Sequence, residues 1–399
     1  MFGGISVLYQ LLNNKGSIMK NILYVCSLLT VFISVNCFPS EIAPLEKALT
    51  LAQFEKVDQE HTLLVLEDNG DSVIGIDISA ISKNFSKNRF DLVQQLGYET
   101  LRNYAKSDLP KISVSYEALL PLSGGFNHHI GAGINYPEHG EETGQKTEPF
   151  LFPKIVQSTG SRTSIRVHPN QLLDYEVELC ARFSRDIKQV EEIKTGMVGF
   201  FVCGDFTDRA QLMRLIDTSN PQSGIGFTDA KSQLGYFPTG PYLVVPRNWK
   251  SMLAEIQLKL SVNKITKQNS PASKMILSVD ELATKALESG SEPRWRFKNL
   301  ATTLLVGKTL KKEATILTGT PEGVIFRPPS GGYKFRKVVR YIFTGSFFKS
   351  GAKQYVIEQY INELVSQNKY LQPNDLVELN ATYLGNIIVK ISSSSNTIN

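Results

Sequence analysis

The chain has 399 residues, 42% of them hydrophobic and 20% charged, a balance that excludes a largely disordered polymer and fits a folded globular protein. That length holds one large domain or a main domain with a smaller companion. A net charge of +5, from 43 basic and 38 acidic side chains, creates no strong basic field, so no nucleic-acid partner is expected.

The first predicted element is a leader. From Met19 the sequence reads MKNILYVCSLLTVFISVNCFPS: one lysine, an uncharged apolar run from Ile22 to Val35, then a short polar stretch. This is the shape of a secretory signal peptide, and the run is shorter than the roughly 18 residues of a spanning helix. Residues 1–37 are therefore read as a signal-peptide region. Translation would start at Met19, and cleavage near Cys37 would leave an exported chain, periplasmic or secreted, beginning around Phe38. An uncleaved anchor or acylation of Cys37 is the alternative, with Val35 and Asn36 a poor match to a lipoprotein signal. Of four cysteines, Cys26 and Cys37 fall in this region, which leaves Cys180 and Cys203 and no disulfide framework or zinc spacing.

Residues 38–122 read as a small N-terminal α+β domain. Strand-like TLLVLED and SVIGIDI flank Asn69-Gly70, a strong hairpin signal, and RFDLVQQLGYETLRNYA has a helical period. Between Ser123 and Asn170 glycine, proline and polar residues dominate, which predicts loops. Alternating strand-like runs then follow in LLDYEVELCARF, MVGFFVCGD, GPYLVVP and EIQLKLSVNKI. VDELATKALES reads as a helix, and ATILTG and DLVELNATYLGNIIVKI as further strands. The fold class is α+β, mainly β, and no fixed-period repeat is visible.

Several residues in these elements are equipped for chemistry. In DYEVEL, strand alternation puts Glu176 and Glu178 on one face, where two carboxylates attract a hard cation; a solvated strand face is the plainer alternative. Asp205 ends the apolar run GFFVCGD, where a strand delivers it to a sheet rim as a third oxygen ligand for a cation such as Mg²⁺, or as a turn or helix cap. His139 and Glu142, three residues apart in GINYPEHGEETG, meet if the segment makes a helical turn, and a histidine oriented by a carboxylate is a competent base near neutral pH. Alone, that histidine reads more readily as a surface residue in a polar loop. His128 and His129 cannot both face one site in an extended segment and are read as structural.

Together, GINYPEHGEETG at 133–144, PFLFPK at 149–154, DYEVEL at 174–179, GFFVCGDFTDR at 199–209, DAKSQLGYFPTGPYLV at 229–244 and ILTGTPEGV at 316–324 resemble the fumarylacetoacetate hydrolase family. LQPNDLVELNATYLGNI at 371–387 resembles its closing β segment, and the likeness spans about Ala52 to Ile391. The resemblance implies a mixed β-sandwich roll over about 123–395, usually a homodimer, acting on small 2-oxo or β-diketo acids with Mg²⁺, Mn²⁺ or Ca²⁺. By position it makes Glu176, Glu178 and Asp205 the metal ligands, His139 and Glu142 the catalytic pair, and Lys231 the lysine that reaches the substrate oxygens. Gly319 and Thr320 match a substrate-carboxylate loop, and Arg209 is kept from a substrate-binding stretch whose other polar residues are rearranged.

The expected activity is metal-dependent hydrolysis of a carbon-carbon bond in an acylpyruvate-like or β-diketo acid. Decarboxylation or isomerisation of a 2-oxo acid is the family alternative, and a non-catalytic carboxylate-binding protein is the rival of another class. One segment, about 327–370, exceeds the family pattern and reads as an inserted helical hairpin. In KFRKVVRYIF, Phe335, Val338, Val339 and Ile342 share a helical face with Lys334, Lys337 and Arg340 off it. That face is expected to pack on its own protein or on a dimer partner; the other readings are a lid or a peripheral contact through 334–343 with an anionic membrane.

Overall fold

Two strands, Val177–Phe183 and Val198–Gly204, run antiparallel through the middle of the molecule and are buried on both faces, as their nearly unbroken apolar sequences require. In this computed structural model, which describes residues 40–144, 148–217, 219–289 and 291–393, they are the central members of a ten-stranded sheet. The expected leader lies outside the described residues. Across the sheet the order is Ile112–Ser115, Ser72–Asp77, Gln59–Asp68, Ala48–Lys56, Leu243–Pro246, Val198–Gly204, Val177–Phe183, Ile316–Leu317, His129–Gly133 and Phe150–Lys154. The strands of the first 122 residues thus continue the sheet that carries the acidic motifs, through the pairing of Ala48–Lys56 with Leu243–Pro246.

A second, five-stranded sheet is built from Ile265–Pro271, Gln257–Val262, Leu376–Ala381, Gly385–Ser393 and Arg162–Val167 in that order. Alternation along the central strands decides what meets it. Val177, Leu179, Ala181, Phe200 and Val202 join Leu258, Leu260, Leu379, Ile387 and Val389 in one core between the sheets. Cys180, Phe201 and Cys203 face the other way and pack with Phe90, Leu92 and Val93 of the helix Arg89–Leu96. The mainly β sandwich expected from the sequence is the observed architecture.

The hairpin at Asn69-Gly70 forms as its sequence predicts: Gly70 takes φ 89°, and its N–H donates to the Asp68 carboxylate at 2.8 Å. Cys180 and Cys203, which gave no sequence signal of pairing, lie on the same face of the neighbouring central strands and form a disulfide. Their separation in sequence hides a contact that only the strand register creates.

The insertion folds as two helices, Gly331–Phe343 and Ala352–Ser366, joined through a short turn at Ser346–Phe348. Its packing overturns the own-chain part of one expectation. Tyr333, Lys337 and Tyr341 form the inward face, against Tyr360, Glu363 and Tyr355. Phe335, Val338 and Ile342 are exposed instead of packing on their own chain. Amphipathic spacing identifies two faces but not which one a neighbour takes, and here aromatic stacking and an ion pair hold the polar one.

Candidate active site

The register of the central strands assembles the acidic residues. Cys203 lies opposite Glu178 and Gly204 opposite Val177, and the Asp205 N–H donates to the Glu176 carbonyl at 3.0 Å. Glu176, Glu178 and Asp205 therefore share the face opposite to Val177 and Leu179. All three are buried, and they offer oxygens within 4.8 Å of one another.

Cations press on this cluster from two sides. Lys231, on the helical turn Phe227–Lys231, places Nζ 2.5 Å from Glu176 Oε2 and 2.7 Å from Asp205 Oδ2. Burial lowers its pKa, but Asp205 and Glu176 outweigh that and hold it above the usual lysine range. Lys154, at the end of the strand Phe150–Lys154, bonds Asp205 Oδ1 at 2.6 Å and the Tyr236 carbonyl at 3.1 Å. Burial, reinforced by Lys231, brings it below the usual lysine value despite Asp205. Arg209 bonds Asp174 Oδ2 through Nε at 2.8 Å and Glu176 Oε1 through Nη2 at 2.6 Å.

Glu178 is left on different terms from its neighbours. Burial and then the Asp205 and Glu176 charges push its carboxyl well above the ordinary range, while the Gly319 N–H donates to Oε2 at 2.7 Å. Burial also raises Glu176, but Lys231 and Arg209 overcome that and bring it below the ordinary value. Asp174, Glu176, Glu178 and Asp205 thus face Lys154, Lys231 and Arg209, four carboxylates against three cations. One proton on Glu178 balances the set. A divalent ion held by Glu176, Glu178 and Asp205 would displace that proton, and an all-oxygen carboxylate set suits a hard cation, so these residues fit the expected metal.

His139 and Glu142 come together as expected. Pro137 opens the helical turn Pro137–Glu142, which brings His139 Nδ1 to 3.1 Å from Glu142 Oε1. A carboxylate can only accept, so Nδ1 carries a proton, and in the neutral ring that tautomer leaves the lone pair on Nε2. Glu142 also accepts from the N–H groups of Gly323 and Val324 and pairs with Arg327 at 3.0 Å. Burial raises its pKa, but His139 and the Gly323 N–H more than offset that, leaving it below the usual carboxylate range. Just before this turn Ile134 adopts φ 59°, a conformation β-branched residues rarely take. Asn135 secures it with side-chain bonds to Leu277 and to the Thr318 carbonyl.

His139, Glu176, Arg209, Lys231 and Thr320 line one cavity of about 90 Å³, whose remaining walls are mostly apolar, among them Phe150, Phe227, Met213 and Phe326. That is space for several waters or a small acid.

A family model described as fumarylacetoacetate (FAA) hydrolase C-terminal matches residues 128–392, which include every residue of this cavity. The chain belongs to the fumarylacetoacetate hydrolase family. The oxaloacetate tautomerase YisK of Bacillus subtilis (strain 168) is 30% identical over 214 residues, 50% of this chain and 61% of that protein. The chain thus matches about three fifths of the length of that relative. The mitochondrial oxaloacetate tautomerase FAHD2 of Arabidopsis thaliana is 28% identical over 49% of this chain and 79% of its own length. Among solved structures, a putative HpcE protein from Mycobacterium smegmatis superposes with a TM-score of 0.55 at 20% identity, covering 87% of this chain and 100% of that one. The fumarylacetoacetate hydrolase from psychrophilic Exiguobacterium antarcticum gives a TM-score of 0.53 at 18% identity over the same shares. Both share the fold.

As a fumarylacetoacetate hydrolase family member, the chain gathers all nine residues singled out in its sequence into one neighbourhood, but not on equal terms. Arg209 is committed to Asp174 and Glu176, and the Gly319 N–H to Glu178. Gly319 takes φ 94°, and a Cβ there would come within 2.8 Å of the Asn135 Cβ. Lys154, Asp174 and Gln268 gave no signal on their own. Asp174 accepts from the N–H groups of Ile325 and Phe326 besides Arg209. Gln268 accepts from the Val177 N–H and donates to Thr320 Oγ1 and the Pro321 carbonyl, tying both walls of the site together. Lys154 lies within the PFLFPK segment that carries the family resemblance, but its partner Asp205 is 51 residues away in sequence.

Proposed function

We propose that this chain is a divalent-metal-dependent enzyme that moves a proton at the carbon beside the carbonyl of a small 2-oxo acid, interconverting its keto and enol forms. The observation that carries the reading is that His139, held by Glu142, lines the same cavity as Glu176 of the carboxylate cluster. A metal bound by Glu176, Glu178 and Asp205 would supply Lewis-acid stabilisation of the negative charge on the enolate oxygens. His139 Nε2 takes the proton, and Glu142 holds the ring and stabilises its protonated form. Lys231 adds fixed positive charge beside the developing oxyanion, and Phe150, Phe227 and Phe326 keep bulk water out. The modest cavity suits a small acid, and relatives carry the name oxaloacetate tautomerase.

Carbon-carbon bond hydrolysis of an acylpyruvate-like acid, the expectation from sequence, is the second reading. It is favoured by the same dyad, since a base that takes a proton from carbon can also take one from water. The test is to follow, with Mg²⁺ or Mn²⁺, the ultraviolet band of enol oxaloacetate and the release of two products from an acylpyruvate. Accelerated enol loss without cleavage supports tautomerisation, and cleavage supports hydrolysis. Binding of oxalate with metal but no turnover of either would leave a carboxylate-binding protein.

We also read the chain as an exported protein, cleaved near Phe38, and as a homodimer. The buried disulfide between Cys180 and Cys203 supports an oxidising compartment. Amino-terminal sequencing of protein from its own cell tests the first statement; a mature start at Met1 in the cytosol defeats it. Light scattering tests the second.

A further inference from the structure

We propose that the outer face of the inserted hairpin is a docking surface for an anionic lipid bilayer. The helix Gly331–Phe343 lays its apolar side outward: Phe335 is 70% exposed and Phe343 86%, and the following turn adds Phe348 at 84%. Its other side is already used, by the edge-to-face contact of Tyr333 with Tyr360 and the tilted contact of Tyr341 with Tyr355. The exposed face is therefore the side left over once the hairpin has closed on itself.

Charge decides the occupant. Between Glu322 and Glu358 the sequence contains no acidic residue. Lys334, Arg336, Arg340, Lys349 and Lys353 are exposed, and none makes a salt bridge among the described residues. On the helical wheel Lys334 borders the apolar arc on one side and Arg336 with Arg340 on the other. That is the arrangement in which rings enter the acyl boundary while flanking cations reach up to phosphates. A second copy related by a two-fold axis would set the same exposed cations against each other, so the face is built against self-association. No described helix is long and apolar enough to cross a membrane, and this one is suited to lie on its surface.

The full-length protein is mixed with phosphatidylcholine vesicles with or without phosphatidylglycerol, and amide hydrogen exchange is followed by mass spectrometry. Peptides covering 331–351 are expected to slow severalfold with phosphatidylglycerol alone and to recover at high salt. A Phe343→Ser/Phe347→Ser/Phe348→Ser variant and a Lys334→Glu/Arg340→Glu variant should each lose that protection at least tenfold in vesicle affinity, with unchanged turnover. Because exchange is read locally, binding through any other part of the chain cannot imitate the result. Unchanged exchange at 331–351 overturns the proposal. So does protection that appears without vesicles and rises with protein concentration, which would assign the face to a second copy. Protection only by an acidic protein, and not by phosphatidylglycerol, assigns it to a protein partner and equally overturns the lipid reading.

Discussion

The backbone N–H of Gly319 donates to Glu178 Oε2 across 2.7 Å, joining the loop after the strand Ile316–Leu317 to a carboxyl that burial and its acidic neighbours raise well above the ordinary range. Because burial and the Asp205 and Glu176 charges raise the Glu178 pKa, its native form holds a proton that the unfolded chain releases at a lower pH. Native-state protonation exceeds that of the unfolded chain in this window, so stability falls as pH rises from the ordinary carboxyl range towards neutrality. Thermal melts of metal-free protein should show this decline, and Glu178→Gln should remove it. Calorimetry should show metal binding that releases a proton and strengthens as pH rises, and that is lost in Glu176→Gln, Glu178→Gln and Asp205→Asn.

His139→Ala should lower kcat by about 10²- to 10⁴-fold with little change in metal affinity, since the ring is placed to accept a proton and is outside the carboxylate set. Steady-state rates with matched metal titrations check it, and full activity in His139→Ala rejects the assigned base. Glu142→Gln should slow turnover similarly, and the double variant should be little worse than either. Glu142→Ala should in addition lower stability, because Gly323 and Val324 lose their acceptor.

Arg209→Met tests whether the arginine is chiefly a structural counter-ion. It would leave Asp174 a buried carboxylate without its cation and Glu176 with Lys231 alone, a loss of roughly 3–5 kcal/mol in denaturant unfolding. A variant as stable as wild type, with only KM raised, would return Arg209 to direct substrate binding.

Cys180→Ala/Cys203→Ala should cost about 3 kcal/mol, the loop-closure entropy expected for a link spanning 23 residues. Urea unfolding with and without reductant measures it: reductant should shift the wild-type midpoint and leave the variant unmoved.

The acidic cluster was legible because strand alternation and an apolar run ending in Asp205 are local patterns, and the His139–Glu142 pair because one helical turn spans it. Lys154, Asp174 and Gln268 were not, because their decisive partners lie 51, 35 and 91 residues away, at Asp205, Arg209 and Val177. The same cause hid the disulfide. The inserted helix showed its periodicity clearly, yet its orientation depended on Tyr360, Glu363 and Tyr355 of the next helix.

The strand Ile316–Leu317 sits between Val177–Phe183 and His129–Gly133, parallel to the latter, and so bridges elements made far earlier in synthesis. Until it emerges from the ribosome, those two strands expose facing hydrogen-bonding edges, and both Glu178 and Glu142 lack the N–H groups of Gly319 and Gly323 that hold them. Such long-range closure predicts slow folding that waits for the last quarter of the chain. A nascent chain ending before residue 316 would present an open edge to chaperones or to other chains.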